Sequence, residues 1–303
     1  MSSVLYDAPG PVARRRELWG SIAGSVLILV GMFFAVRYAA GRGVFQLDRW
    51  DVLWDPPKNQ SAATVWRSLI VQGLGATLRA AALAAPLALG LGLLLALWRR
   101  VPNVWLRAPA IAVVEVARGL PVLLVMLFGW LGFNMQPFAA VVFGLTLYNM
   151  AIFAEILRAG LAALPRGQAE ASLAIGMTRW QTLVLVELPQ AVRTMTPSLI
   201  AQLVVLLKDS SLGFIIGYVE LLRVIQRNTQ FFGAQYTVAL FVVGAAVYLA
   251  INISLSQLAV RVQRRGSKRT AGKIDQNDAA AELPAGAVVL DPSGGLDRGR
   301  GGI

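Results

Sequence analysis

The chain has 303 residues, of which 56% are hydrophobic and only 15% are charged, and its formal net charge is +12 with a mean hydropathy of +0.62. Soluble domains carry about a quarter charged residues, so this composition is typical of a membrane protein. Cysteine and histidine are both absent, which excludes thiol nucleophiles, histidine general bases, disulfides and the usual zinc ligands. The basic residues flank apolar runs instead of forming one patch, which argues against nucleic-acid binding.

Six apolar runs are long enough to cross a hydrocarbon core, which takes about 20 helical residues. In chain order they are Gly20–Tyr38, Ser68–Trp98, Arg107–Leu131, Pro137–Leu157, Thr196–Tyr218 and Tyr236–Val260. The first follows a basic segment, 1–19, but no small-residue cleavage site comes after it. We therefore interpret it as a retained helix, packed peripherally, and not as a cleaved signal.

The segments between the runs carry an uneven distribution of positive charge. Most of their Lys and Arg residues fall on the side that holds the N-terminal Arg14-Arg15-Arg16, and by the positive-inside rule this side is cytoplasmic. Both termini and the segment 158–195 are then predicted to lie in the cytoplasm. Residues 39–67 become an external loop, with Trp50 and Trp54 at the membrane interface. From Gly266 the chain is small, polar and rich in Gly and Pro, so 261–303 is predicted to be a cytoplasmic tail that is disordered from Gly266.

One polar stretch, Gly167–Ala191, stands between two apolar runs, and we refer to it as the polar segment. Pro165 can open a helix, Gly176 interrupts it, and Thr178 followed by Gln181 forms a capping box that starts a second helix. That second helix is predicted to end near Pro189. From these patterns alone, the polar segment is either a helical loop packed under the membrane domain or a surface that offers apolar side chains to a cytoplasmic partner.

Residues of the polar segment stand at the spacing of the EAA loop of ABC-importer permeases. The matching positions are Glu170-Ala171-Ser172, Gly176 and Leu188-Pro189, with Ser172 in place of the third-position alanine. The chain further resembles the polar amino-acid subfamily of these permeases. That resemblance covers Ser68 to Val260 through five ordered blocks: Gly73–Leu78, Glu115–Pro121, Gly167–Ala171, Leu188–Ala191 and Lys208–Leu212.

The resemblance implies an all-α membrane fold, the type I ABC importer permease, with about six transmembrane helices and a permease domain over 68–260. In that family the EAA segment is a cytoplasmic helix-turn-helix that couples the permease to an ATPase subunit on another chain. The implied partners are that ATPase, a second permease subunit (a homologue or this chain itself), an extracellular substrate-binding protein and an amino acid. The chain contains no G-x-x-x-x-G-K-[ST] motif, so we expect no cofactor here and ATP use only by the partner.

Ionisable side chains within the apolar runs are candidates for a substrate pathway, because a charge at membrane depth is costly. Arg79 faces the same way as Gln72, although it could also snorkel to the outer interface. Lys208 and Asp209 are predicted to lie in the middle of the fifth run, where the following Ser210-Ser211 suggests a polar break that lines a cavity.

The remaining polar residues have simpler interpretations. Glu115 and Arg118 could neutralise each other, and residues 104–117 could be an interfacial helix with the true span starting at Gly119. Glu155 and Arg158 repeat the same spacing and are interpreted as a structural pair. Asn149 and Gln202 are uncharged pathway candidates.

Three functions are compatible with these residues. The favoured one is the permease of an ATP-driven amino-acid importer. An ion-coupled secondary transporter would use Asp209 as its coupling carboxylate, but it would leave the polar segment without a purpose. A membrane enzyme would need Lys208 and Ser210 to face each other, which their spacing opposes.

The predicted substrate is an acidic amino acid, most specifically glutamate. Arg79 and Lys208 outnumber Asp209 among the unpaired in-membrane charges, and an arginine can hold a carboxylate with two hydrogen bonds. Residues Val4–Arg16 also resemble the N-termini of actinobacterial glutamate-uptake permeases. Glutamine or another polar amino acid is the alternative, since the block at Lys208 resembles one shared by the whole subfamily.

Overall fold

A computed structural model describes residues 10–281, with side chains described except at 166, 258, 259 and 262–281. Every regular element in this range is helical and none is a strand, which confirms the predicted all-α class. The α-helices are α1 Pro11–Gly41, α2 Ala62–Arg67, α3 Gly75–Trp98, α4 Val104–Gly119, α5 Val122–Leu127, α6 Pro137–Ala162, α7 Arg166–Ala174, α8 Arg179–Gln181, α9 Leu188–Asp209, α10 Leu221–Phe232 and α11 Thr237–Ala281. Three π-helical segments, Ser68–Leu74, Phe128–Gly132 and Thr182–Glu187, continue α2, α5 and α8.

Within the described residues, five helical runs are long and apolar enough to span a membrane. They are Pro11–Gly41, Ala62–Trp98, Pro137–Ala162, Arg179–Phe214 and Ala234–Gln257. A sixth results if the bent pair Val104–Gly119 and Val122–Gly132 is counted as one broken span. The predicted number of spans therefore agrees with the structure, while several boundaries do not.

The third predicted span, Arg107–Leu131, is wrong as a single straight helix. α4 and the helix that starts at Val122 are bent by 102° at the break between them. Pro121 disfavours helical backbone at Leu120, so the chain turns at this point. The arrangement matches the alternative in which 104–117 forms a separate helix.

Both ends of the chain are more helical than the sequence patterns indicated. α1 begins at Pro11 and includes the basic residues assigned to a separate segment 1–19, because proline is well suited to a first helical turn. α11 continues to Ala281, past Gly266, where the sequence predicts that disorder begins. Extending an existing helix needs no new nucleus, and no proline occurs before Pro284 to stop it. The remaining predictions for 1–9 and 282–303 lie outside the described residues.

The described chain divides into two compact units. The first comprises the residues up to Ala88, Val116–Asn149 and Leu206–Asn252. In it, the middle of the segment predicted as an external loop packs on α2, which forms the end of that same segment. Val52 is fully buried in a cluster with Val65 and Leu69, and the indole of Trp66 donates a hydrogen bond to the Leu53 carbonyl at 3.0 Å.

α10 also belongs to the first unit and packs on the π-helical segment Ser68–Leu74. A Cβ atom added to Gly73 would lie 3.0 Å from the Leu221 Cα, closer than most side chains approach a backbone, so glycine favours this contact. The Thr77 hydroxyl donates to the Gly73 carbonyl at 3.2 Å and lies 3.4 Å from the Leu221 N–H. Gly73 and Thr77, from the first matched block, therefore form the surface on which the start of α10 packs.

The second unit comprises Leu89–Glu115, Met150–Val205 and the chain from Ile253. α3 and α6 come into close contact in it at Gly92, where an added Cβ would lie 2.8 Å from both the Met150 carbonyl oxygen and the Phe153 Cβ. Small residues allow helix backbones to approach in this way in membranes, where van der Waals packing stabilises helix pairs.

Candidate coupling segment and pathway residues

The polar segment folds as two short helices joined at Gly176. α7 ends at Ala174, and Gly176 has a left-handed backbone with φ of +87°. Thr178 then caps α8: its hydroxyl accepts the Gln181 N–H at 3.3 Å while the Gln181 side chain accepts the Thr178 N–H at 2.8 Å. The predicted bend and capping box are both confirmed.

The predicted end of the second helix near Pro189 is wrong. α8 passes through the π-helical segment Thr182–Glu187 directly into α9, whose second residue is Pro189. A proline is tolerated in a first helical turn, and a π-helical turn relieves the clash with the carbonyl four residues earlier. The side chain of Gln190 supplies a further donor here, to the Val186 carbonyl at 2.9 Å.

The residues that carry the family resemblance do not all lie on the surface of the polar segment. Glu170 and Ala171 are exposed, as is Pro189, while Leu188 is half-buried. Ser172, in contrast, is buried and donates to the Gln168 carbonyl at 2.8 Å. Ser172 thus stabilises its own helix.

Large apolar side chains of the polar segment are exposed in the described chain. Ile175 is 80% exposed and Trp180 is 57% exposed, with Leu173 and Leu185 beside them in the sequence. Isolated exposed apolar residues are common, but several on one short helical segment indicate an interaction surface.

The base of the polar segment is fixed by a small apolar cluster of Leu161, Leu183 and Ala191, with Leu97 and Leu164 packed against it. The amides of Gln168 and Gln190 also approach to 3.5 Å, which brings two of the matched blocks together. The base of the polar segment is therefore packed against α6 and α9, while its tip is exposed.

The pathway candidates lie in different environments. Arg79 is exposed on α3. Asn149 is fully buried and donates to the Leu145 carbonyl at 2.8 Å, so it is packed inside its unit and does not lie on an accessible surface. Gln202 is half-buried in the second unit.

Lys208 and Asp209 are the last two residues of α9. The helical run that holds them, Arg179–Phe214, begins before the predicted Thr196 because it includes the end of the polar segment. The predicted break is present: a 3₁₀ turn over Ser210–Phe214 follows Asp209. Lys208 is exposed, and its carbonyl accepts the Tyr248 hydroxyl at 3.3 Å.

The sequence patterns missed α10 and the buried carboxylate that precedes it. Glu220 is fully buried, accepts the Arg223 N–H at 2.9 Å through Oε1, and has no partner at Oε2. Nearby, the Tyr218 hydroxyl donates to the Ala76 carbonyl at 2.7 Å. The spacing of Leu221, Val224 and Ile225 after an N-terminal acid is the amphipathic signal that could have revealed this helix.

The stability of the chain is expected to depend on pH through Glu220, because burial raises the pKa of its carboxyl group. The N–H groups of Leu222 and Arg223 and the charge of Arg223 act in the opposite direction but do not cancel the effect of burial. A raised pKa means that the folded state holds the proton more tightly than the unfolded state. The stability contributed by the protonated group is therefore present at low pH and lost as pH rises through the folded-state pKa. Glu220→Gln should remove this dependence, whereas Glu220→Ala should cost about 1 kcal/mol by loss of the cap. Thermal unfolding midpoints from acidic to neutral pH test this, and parallel curves for wild type and Glu220→Gln would contradict it.

The described chain thus combines membrane-length apolar helices with an exposed polar helical pair. The family profile "Binding-protein-dependent transport system inner membrane component" matches residues 88–268, and the chain belongs to this family. Its fold is accordingly the type I permease fold.

Individual relatives agree with this assignment. The chain is 43% identical over 220 residues to the glutamate transport system permease protein GluD of Corynebacterium glutamicum, covering 70% of this chain and 79% of that protein. It is 37% identical over 158 residues to the probable glutamine ABC transporter permease protein GlnP of Bacillus subtilis, covering 50% and 72%. A solved structure described as an amino acid ABC transporter with histidines matches with a TM-score of 0.61 and 30% identity, covering 67% of this chain and 97% of that one.

Proposed function

We propose that this chain is the permease subunit of an ATP-driven amino-acid importer, and that its substrate is glutamate. In this proposal the chain hydrolyses nothing itself. A separate ATPase subunit docks on the polar segment, an extracellular binding protein delivers the amino acid, and a second permease subunit completes the pathway.

One observation carries the coupling role: the polar segment presents Ile175 and Trp180 to solvent while its base is packed into the second unit. A helix pair with an apolar exposed tip fits a groove on a partner, which is a common mode of helix recognition. Family membership supplies the kind of partner, since these permeases work with an ATPase on another chain.

The substrate proposal depends on charge and on the relatives. Arg79 and Lys208 are both exposed cations of the first unit, and a carboxylate substrate is attracted to such groups. The relative with 43% identity is named for glutamate, while another is named for glutamine. Glutamine is therefore the second candidate.

Uptake of labelled glutamate, aspartate, glutamine and arginine should be compared in cells with and without the gene. We expect glutamate uptake to be lost and arginine uptake to be unchanged. Loss of glutamine uptake with glutamate uptake unaffected would show that the substrate is glutamine and not glutamate. Arg79→Gln and Lys208→Gln then test the pathway: a residue whose variant retains wild-type glutamate uptake is not part of it.

The proposal places the chain in the cytoplasmic membrane of a bacterial cell with both termini inside. The absence of cysteine makes single-cysteine labelling unambiguous. Ile175 is a suitable cytoplasmic reporter at 80% exposure, and Leu47 is a matched outer one at 77% exposure. An impermeant thiol reagent applied to intact cells should label a cysteine at 47 and not at 175.

A further inference from the structure

The second unit contains a basic cavity that the transport proposal does not use. It encloses about 350 Å³, and four of its lining side chains are Arg99, Arg100, Arg107 and Arg158. We call it the arginine cavity. The rest of its lining is apolar or small: Ala96, Ile111 and Ala162. It lies where α3 ends, α4 begins and α6 ends.

The ion pairs at the arginine cavity do not neutralise all of its positive charge. Glu155 pairs with Arg99 and also with Arg158, whose Nε lies 2.9 Å from Oε2. Arg107 behaves differently: its Nε is buried and has no hydrogen-bond partner. A buried donor without a partner is costly, so this nitrogen requires an acceptor that the described residues do not supply.

The rim of the arginine cavity is apolar and aromatic. Trp98 and Trp105 are exposed, and so is Leu106. The Trp98 indole donates to the Leu106 carbonyl at 2.8 Å and so closes the turn that holds Arg99 and Arg100. Tryptophans at the ends of apolar helices favour the boundary between hydrocarbon and head groups, which places the arginines at head-group depth.

We propose that the arginine cavity binds the phosphate of an anionic phospholipid, such as phosphatidylglycerol or cardiolipin, from the cytoplasmic leaflet. A phosphodiester supplies the acceptor that Arg107 lacks, and arginine forks match phosphate oxygens well. Basic pockets between membrane helices on the cytoplasmic side are suited to such head groups. The exposed apolar rim favours a lipid over free phosphate, because acyl chains cover Trp105 and Leu106 and an inorganic ion does not.

The test measures retained lipid by native mass spectrometry of protein purified in mild detergent. Phosphatidylglycerol or cardiolipin should be retained by the wild-type chain, and Arg107→Gln should lower the retained amount by about tenfold or more, as expected for a lost charge-assisted hydrogen bond. Arg100→Gln is a second variant on an exposed side chain, which serves if the chain with Arg107→Gln, at a half-buried position, does not fold. Arg37→Gln is the matched control, since it removes one exposed arginine from α1, a helix with no buried residue.

Thermal unfolding with added compounds identifies the ligand. Phosphatidylglycerol should raise the unfolding midpoint of the wild type and of Arg37→Gln but not of Arg107→Gln, and phosphatidylcholine should raise none of them. Equal protection by inorganic phosphate would overturn the lipid assignment in favour of a free anion. Equal lipid retention by the wild type, Arg107→Gln and Arg100→Gln would overturn the site.

Discussion

Replacement of Gly176 by valine is expected to abolish substrate-stimulated ATP hydrolysis by the assembled transporter, while the chain still inserts into the membrane. Gly176 has a φ of +87°, and a Cβ there would meet nothing within 4 Å, so the effect arises from backbone strain alone. A left-handed backbone costs a non-glycine residue about 1–2 kcal/mol, and a β-branched residue more. The turn would rearrange to relieve this strain and displace Ile175 and Trp180 from the docking surface.

Two further variants distinguish the effect of backbone strain in the polar segment from the effect of a lost contact with the ATPase subunit. Gly167→Ala adds a Cβ in equally open space but on a helical backbone, so it should leave insertion unchanged and should not lower thermal stability. Glu170→Lys leaves the fold unstrained and reverses an exposed charge, so it should also abolish coupled hydrolysis. Normal transport by both Gly176→Val and Glu170→Lys would remove the polar segment from the coupling role.

Replacement of Gly92 by valine is expected to prevent recovery of a folded chain. The new Cβ would lie 2.8 Å from the Met150 carbonyl oxygen and 3.2 Å from the Ala154 nitrogen, both of which are backbone atoms of α6. Side-chain rotation cannot relieve such contacts, so α3 and α6 would have to separate, at a cost of about 3 kcal/mol or more. The yield of monodisperse protein after detergent extraction measures the effect.

Gly90→Val provides the control, because Gly90 lies two residues earlier on the same helix and has nothing within 4 Å of an added Cβ. It changes volume, helix propensity and hydrophobicity by the same amounts. Equal yields from the two variants would contradict the close approach of α3 and α6 at Gly92.

Features set by local chemistry were predictable from the sequence. The capping box of Thr178 and Gln181 depends only on residues three apart, and the bend at Gly176 depends on a single residue that tolerates positive φ. The number of spans followed from run length and hydropathy, since a bilayer imposes both. The break after Asp209 was likewise visible in two consecutive serines.

Features set by tertiary packing were not predictable in the same way. Pro189 was expected to stop a helix, but a π-helical turn and the Gln190 side chain accommodate it. The fifth helical run was expected to begin at Thr196, because the polar residues after Arg179 concealed its earlier start. Ser172 resembles a surface residue in sequence and is buried only because α7 packs on the chain that follows it.

The site is less predictable than the fold for a related reason. The alternation of polar and apolar residues identifies a helix face, but it does not show which polar group is left without a partner. Arg107 and Glu220 are the clearest cases: each has a buried atom without a hydrogen-bond partner, and this depends on neighbours from other helices. The sequence patterns singled out neither residue as a functional candidate.

Transport by reconstituted proteoliposomes tests the central claim most directly. The vesicles would contain this chain with its ATPase subunit, its second permease subunit and its binding protein, and labelled glutamate uptake would be measured without any ion gradient. We expect uptake that requires ATP and the ATPase subunit, stops with vanadate and is unaffected by a protonophore. Uptake driven by an ion gradient in vesicles that lack the ATPase, and collapsed by a protonophore, would contradict the account.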